Sequence, residues 1–171
     1  MKKSVARVKG FGFVLWHSRH EFYHVLIGLV WSWVLREFWQ EFNTRWVLIA
    51  VVGSLLPDAD HLLYFFSYGR KDPYSKQILR FLKERKWRAL TVFVESSHKH
   101  NTNLSYHNYY FMMILFGLAT GSLLVDWNAS VILFGAMLLH YLFDIGDDIV
   151  TLGQINPNWK RWGGVKPRVE S

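Results

Sequence analysis

Apolar residues are gathered into four segments separated by charged stretches. The first spans residues 22 to 39 and contains His24. The second spans 46 to 56, breaks at an acidic run and resumes over 62 to 66. The third covers 109 to 125, and the fourth covers 129 to 143 and carries His140. Apolar blocks of this length read as helices rather than strands. None is an uninterrupted run of about 20 residues, the length that spans a bilayer.

Charge separates the connections between the blocks. The link between segments two and three is strongly basic, with Arg70, Lys71, Lys76, Arg80, Lys83, Arg85, Lys86, Arg88 and Lys99. The N-terminus adds Lys2, Lys3, Arg7 and Lys9, and the tail adds Lys160, Arg161, Lys166 and Arg168. The two other links are short and carry no such excess: Arg36 and Arg45 balance Glu37 and Glu41, and Asp126, Trp127 and Asn128 form the second. Positive charge is retained on the cytoplasmic side of a membrane. The pattern therefore predicts four crossings, with both termini and the basic link inside. The apolar stretch 11–16 is too short for a signal-peptide core, so no cleavage is expected.

Within the basic link, Asp72 can cap a helix that Pro73 opens, and Ile78, Phe81 and Leu82 form an apolar stripe among the cations. A second mixed piece follows over 87–95. An amphipathic segment resting on anionic lipid is one reading, and a solvated helix covering the domain is the other. The expected fold class is all-α: a polytopic membrane helical bundle of about four transmembrane helices plus this cytoplasmic segment. One domain covers 1–171, with a first helix pair (20–68), a basic helical loop (69–100), a second pair (101–150) and a basic tail (151–171).

Composition agrees. The 171 residues are 51% hydrophobic and 18% aromatic, with nine Trp, yet carry a net charge of +7. A soluble all-helical bundle is the alternative. Nucleic-acid binding is not expected, because no recognition motif accompanies the charge. Trp16, Trp31, Trp33, Trp39, Trp46 and Trp127 fit interfacial anchoring. The run from Trp159 to Gly164 is expected on the inner leaflet, and Asp147 and Asp148 as solvated caps. Without cysteine, any metal must be held by nitrogen and oxygen.

Candidate chemistry lies at the segment ends. The run Gly-Ser-Leu-Leu-Pro-Asp-Ala-Asp-His, residues 53 to 61, sets Asp58, Asp60 and His61 directly after apolar sequence. Three such groups are costly to bury unless a cation neutralises them. His24 begins segment one; His98, His100 and His107 precede segment three; His140 and Asp144 close segment four. On the expected topology all fall near the cytoplasmic face. His140 and Asp144 are i and i+4, as are His20 and His24, so each pair shares a helix face. The candidate ligands are His24, Asp58, Asp60, His61, His98, His100, His107, His140 and Asp144. Asp60 would bridge ions or orient an imidazole, and Glu21 is the candidate general base. A divalent cation is expected, zinc first and manganese second. The implied partners are membrane lipids and a lipid-like or membrane-delivered substrate.

His24-x-x-x-Gly28, the Pro-Asp-x-Asp-His run, the His-rich stretch before segment three and His140-x-x-x-Asp144 resemble the YdjM-like family, predicted inner-membrane metal-dependent hydrolases. The resemblance covers about residues 20 to 150 in the family's order. The third family motif usually reads His-Arg-x-x-Thr-His-Ser; here Thr102 is followed by Asn103, and the next His is His107. The pattern is also similar to helical zinc phospholipases C and zinc nucleases, which implies phosphoester cleavage. Two other readings compete. His20-Glu21-Phe22-Tyr23-His24 spells H-E-x-x-H, the zinc motif of metalloproteases, including intramembrane ones. A non-enzymatic metal-binding protein or a metal transporter would use the same ligands.

Overall fold

The structure, a computed structural model, describes residues 19–97 and 104–161. His98, His100, the N-terminal cations and the tail beyond residue 161 lie outside the described residues. The described chain is all helical, with no strand. Its elements are α1 (Arg19–Trp39), α2 (Thr44–Leu55), a 3-10 turn (Leu56–Asp58), α3 (Ala59–Phe66), α4 (Pro73–Lys83), α5 (Trp87–Ser97), α6 (Tyr109–Leu124), α7 (Asn128–Leu152) and a closing 3-10 turn (Pro157–Lys160).

Local chemistry sets the boundaries. Asn43 caps α2 by accepting the Arg45 N–H at 2.9 Å, and Asn108 caps α6 by accepting the Phe111 N–H at 2.9 Å. Gly153, at φ +71°, ends α7 in the left-handed conformation, with its N–H returned to the Ile149 carbonyl. Pro73 opens α4, as expected, but the Asp72 carboxylate accepts from the Tyr64 hydroxyl instead of capping the helix.

Helix α7 is the hub, packed by α1, α2 and α6, while α4 and α5 pair with each other. The helices approach closely because small residues sit at their crossings. A Cβ at Gly28 would stand 2.7 Å from Ser54 Oγ and 2.8 Å from the Ala50 carbonyl oxygen, so α1 lies almost backbone to backbone on α2. Gly53 meets α7 in the same way, 2.8 Å from the Leu133 carbonyl oxygen. Leu35, Ala50 and Ile132 fill the first core cluster; Leu115, Met137, Tyr141 and Trp159 fill the second.

Many large apolar side chains lie outside this core while several polar ones lie within it. Phe38, Met113, Leu124 and Val150 are exposed, whereas His24 and His140 are wholly buried and Asp60 is nearly so. By length and composition, two helical stretches are apolar enough to cross a membrane: Thr44–Phe66, running through α2 and α3, and Asn128–Leu152. Tyr109–Leu124 is apolar but shorter, and α1 carries Arg19, Glu21, Arg36 and Glu37 near its ends.

The structure departs from the sequence reading at two further places. Segment two is a single rod, because the chain passes from α2 to α3 through a one-turn 3-10 stretch at the acidic break. Pro57 has no N–H to give the preceding turn, which loosens the helix there without ending it. Trp159 and Asp148 are buried instead of interfacial or solvated. The Trp159 indole N–H donates to Asp148 Oδ2 at 2.8 Å, and its ring packs on Tyr141.

Candidate metal centre

Four parts of the chain bring imidazoles and carboxylates together. His20 and His24 project from the first two turns of α1; Asp58, Asp60 and His61 come from the 3-10 turn and the start of α3; His107 precedes α6; His140 and Asp144 lie one turn apart on α7.

Asp144 occupies the middle. Its Oδ1 lies 3.3 Å from His20 Nε2 and 3.5 Å from His24 Nε2, and its Oδ2 lies 3.1 Å from His140 Nε2 and 3.7 Å from His107 Nε2. Asp58 Oδ1 stands 3.9 Å from His140 Nε2 and 4.0 Å from His61 Nε2. The His24 and His140 rings stack with centroids 3.7 Å apart, and the His20 and His24 Nε2 atoms are 2.9 Å apart.

Hydrogen bonds behind the cluster fix two of the rings. His140 Nδ1 lies 2.6 Å from the Ser54 carbonyl oxygen, so Nδ1 carries the proton and Nε2 presents a lone pair forward. His107 Nδ1 lies 3.2 Å from Asp60 Oδ2, which orders that ring in the same sense. Asp60 is itself held by the Tyr106 N–H at 2.9 Å and the Tyr68 hydroxyl at 2.5 Å. Burial, then the Asp60 carboxylate, pushes the Tyr68 phenol upward, so it remains a donor. The loop before α6 is secured from its other side, where the Asn158 amide donates to the His107 carbonyl at 2.7 Å and the Leu104 carbonyl at 3.1 Å.

The donors then face one another. His107 Nε2, His140 Nε2, Asp58 Oδ2 and Asp144 Oδ1 are buried and have no hydrogen-bond partner among the described residues. A buried polar atom left so costs about 1–3 kcal/mol. Lone pair against lone pair is repulsive until a proton or a metal cation lies between them. Four triads have donor atoms within 4.8 Å of one another: His20–His24–Asp144, His24–Asp58–His140, Asp58–His61–His107 and His107–His140–Asp144. Nitrogen and carboxylate donors in this ratio suit zinc or manganese.

Among the sequence candidates, the structure thus assembles His24, Asp58, His61, His107, His140 and Asp144. Asp60 stands behind His107 and belongs to no triad. Glu21 is exposed on the first turn of α1 and also belongs to none. His98 and His100 fall outside the described residues. His20 joins the cluster although it was not among the candidate ligands; its i, i+4 spacing to His24 and the H-E-x-x-H motif were the signals for it. Asn158 carried no signal, since an asparagine in a basic tail reads as loop. No family model matches the sequence, and no curated protein or solved structure matches it.

Proposed function

We propose that the chain is a membrane-embedded, metal-dependent hydrolase whose substrate is a membrane-associated ester or phosphoester. The observation that carries the proposal is the convergence of four donor triads from four chain segments, several of their donor atoms buried without a hydrogen bond. A divalent cation held there, zinc or manganese, would polarise a carbonyl or phosphoryl oxygen and lower the pKa of water. His20, His24, Asp58, His61, His107, His140 and Asp144 are the side chains that would hold metal there. Asp60 keeps His107 in its donor tautomer. Glu21, beside His20 at the head of α1, is the carboxylate assigned to proton transfer.

The YdjM-like resemblance points the same way, and so does the arrangement of apolar surface. Four crossings place both termini and α4–α5 on the cytoplasmic side of the inner membrane. There the exposed Trp87, flanked by Arg85, Lys86 and Arg88, rests against anionic headgroups. His20 and His61 are each more than a third exposed, so the cluster opens at two edges, where a lipid-borne group can reach it.

One observation favours a second reading, an intramembrane metalloprotease: His20 and His24 already form a triad with the distant Asp144. Metal analysis of the purified chain, together with phosphoester, carboxylester and peptide hydrolysis with and without chelator, tests both. A His140→Ala, Asp144→Ala double variant is expected to lose both metal and turnover. Unchanged metal content in that variant overturns the site. Chelator-sensitive peptide cleavage without ester cleavage selects the protease.

A further inference from the structure

We infer that the cluster holds two divalent cations, with Asp144 and Asp58 shared between them; this rests on the metal-centre reading above. Seven side chains contribute to the triads, whereas one zinc ordinarily takes four ligands. The two outer triads, His20–His24–Asp144 and Asp58–His61–His107, have no residue in common, so each offers three donors to a cation of its own. His140 lies between them, 3.1 Å from Asp144 Oδ2 and 3.9 Å from Asp58 Oδ1. Asp144 offers its two oxygens to different imidazoles: Oδ1 faces His20 and His24, and Oδ2 faces His140 and His107. A carboxylate flanked this way is placed to bridge.

Charge agrees. Asp58, Asp60 and Asp144 bring three negative charges, and among the described residues no lysine or arginine pairs with any of them. One divalent cation leaves the buried cluster at −1. A second brings it to +1, a state that receives an anionic substrate oxygen.

The test is metal stoichiometry of the detergent-purified chain, by elemental analysis and by titration of the apo-protein with Zn²⁺. Two equivalents are expected. His20→Ala and His61→Ala are each expected to keep one, and Mn²⁺-loaded wild type should give an exchange-coupled paramagnetic spectrum that becomes the six-line signal of an isolated ion in either variant. One equivalent in the wild type overturns the two-ion centre and leaves the metal reading intact. No bound metal overturns both. Loss of both ions from each variant, with unchanged circular dichroism, also overturns it. His20→Gln and His61→Gln, which keep side-chain volume, replace any alanine variant that fails to fold.

Discussion

The 2.6 Å contact between His140 Nδ1 and the Ser54 carbonyl oxygen ties the last helix of the bundle to the last turn of α2. It also decides the direction of the imidazole's free lone pair. The same contact that helps to pack the bundle therefore aims the imidazole proposed as a metal ligand.

Asp60→Asn preserves shape but removes the charge and one of the two accepting oxygens, so His107, Tyr68 and the Tyr106 N–H can no longer all be served. Metal affinity is expected to fall about 10- to 100-fold, the usual effect of losing such a partner. Calorimetric titration of apo-protein measures it, with circular dichroism to show that the helices persist.

Asn158→Ala deletes two hydrogen bonds from the closing 3-10 turn to the loop that carries His107. The two carbonyls left behind predict a loss of about 1–3 kcal/mol. Thermal unfolding in detergent reads this loss, and metal affinity should weaken in parallel. An unchanged midpoint would show that the tail does not secure the loop.

Gly28→Val puts a branched side chain where α1 and α2 all but touch, and a destabilisation of about 1–3 kcal/mol or more is expected from overpacking. Gly117→Ala serves as the control, since a Cβ there meets nothing within 4 Å. Comparing the two midpoints in one detergent distinguishes crowding at the crossing from a general effect on helix propensity.

Glu21→Gln tests the proton-transfer assignment. Turnover is expected to drop at least 100-fold with metal content unchanged, because Glu21 lies outside every triad. Full activity in this variant removes Glu21 from the chemistry and weakens the H-E-x-x-H reading with it.

The absence of native cysteine makes topology directly measurable. Glu41→Cys and Trp127→Cys are expected to react with a membrane-impermeant thiol reagent from one side, and Lys83→Cys from the other. Labelling of all three from the same side contradicts four crossings.

The long apolar runs made α1, α2, α6 and α7 legible in the sequence, because burial and lipid contact both demand the same residue types. The meeting of His24, Asp58, His107, His140 and Asp144 was legible too, since polar groups at the ends of antiparallel helices fall at one level. Other features depend on tertiary contact and leave no local trace. Asp148 and Trp159 take their roles from tertiary contact, 11 residues apart and buried together. His20 stands outside the candidate ligands until Asp144 is placed 3.3 Å away. The acidic break read as an interruption because a proline followed by charges resembles a helix end, yet Leu56–Asp58 keeps the rod continuous.

That loosened turn has a mechanical consequence. Asp58 sits on it, with His24 and His140 from the bundle on one side and His61 from the following helix on the other. An ion gripped by these residues would act as a splint across that turn. Amide exchange over residues 56 to 66 should therefore slow when metal is added, and the stiffness of that stretch becomes a gauge of occupancy.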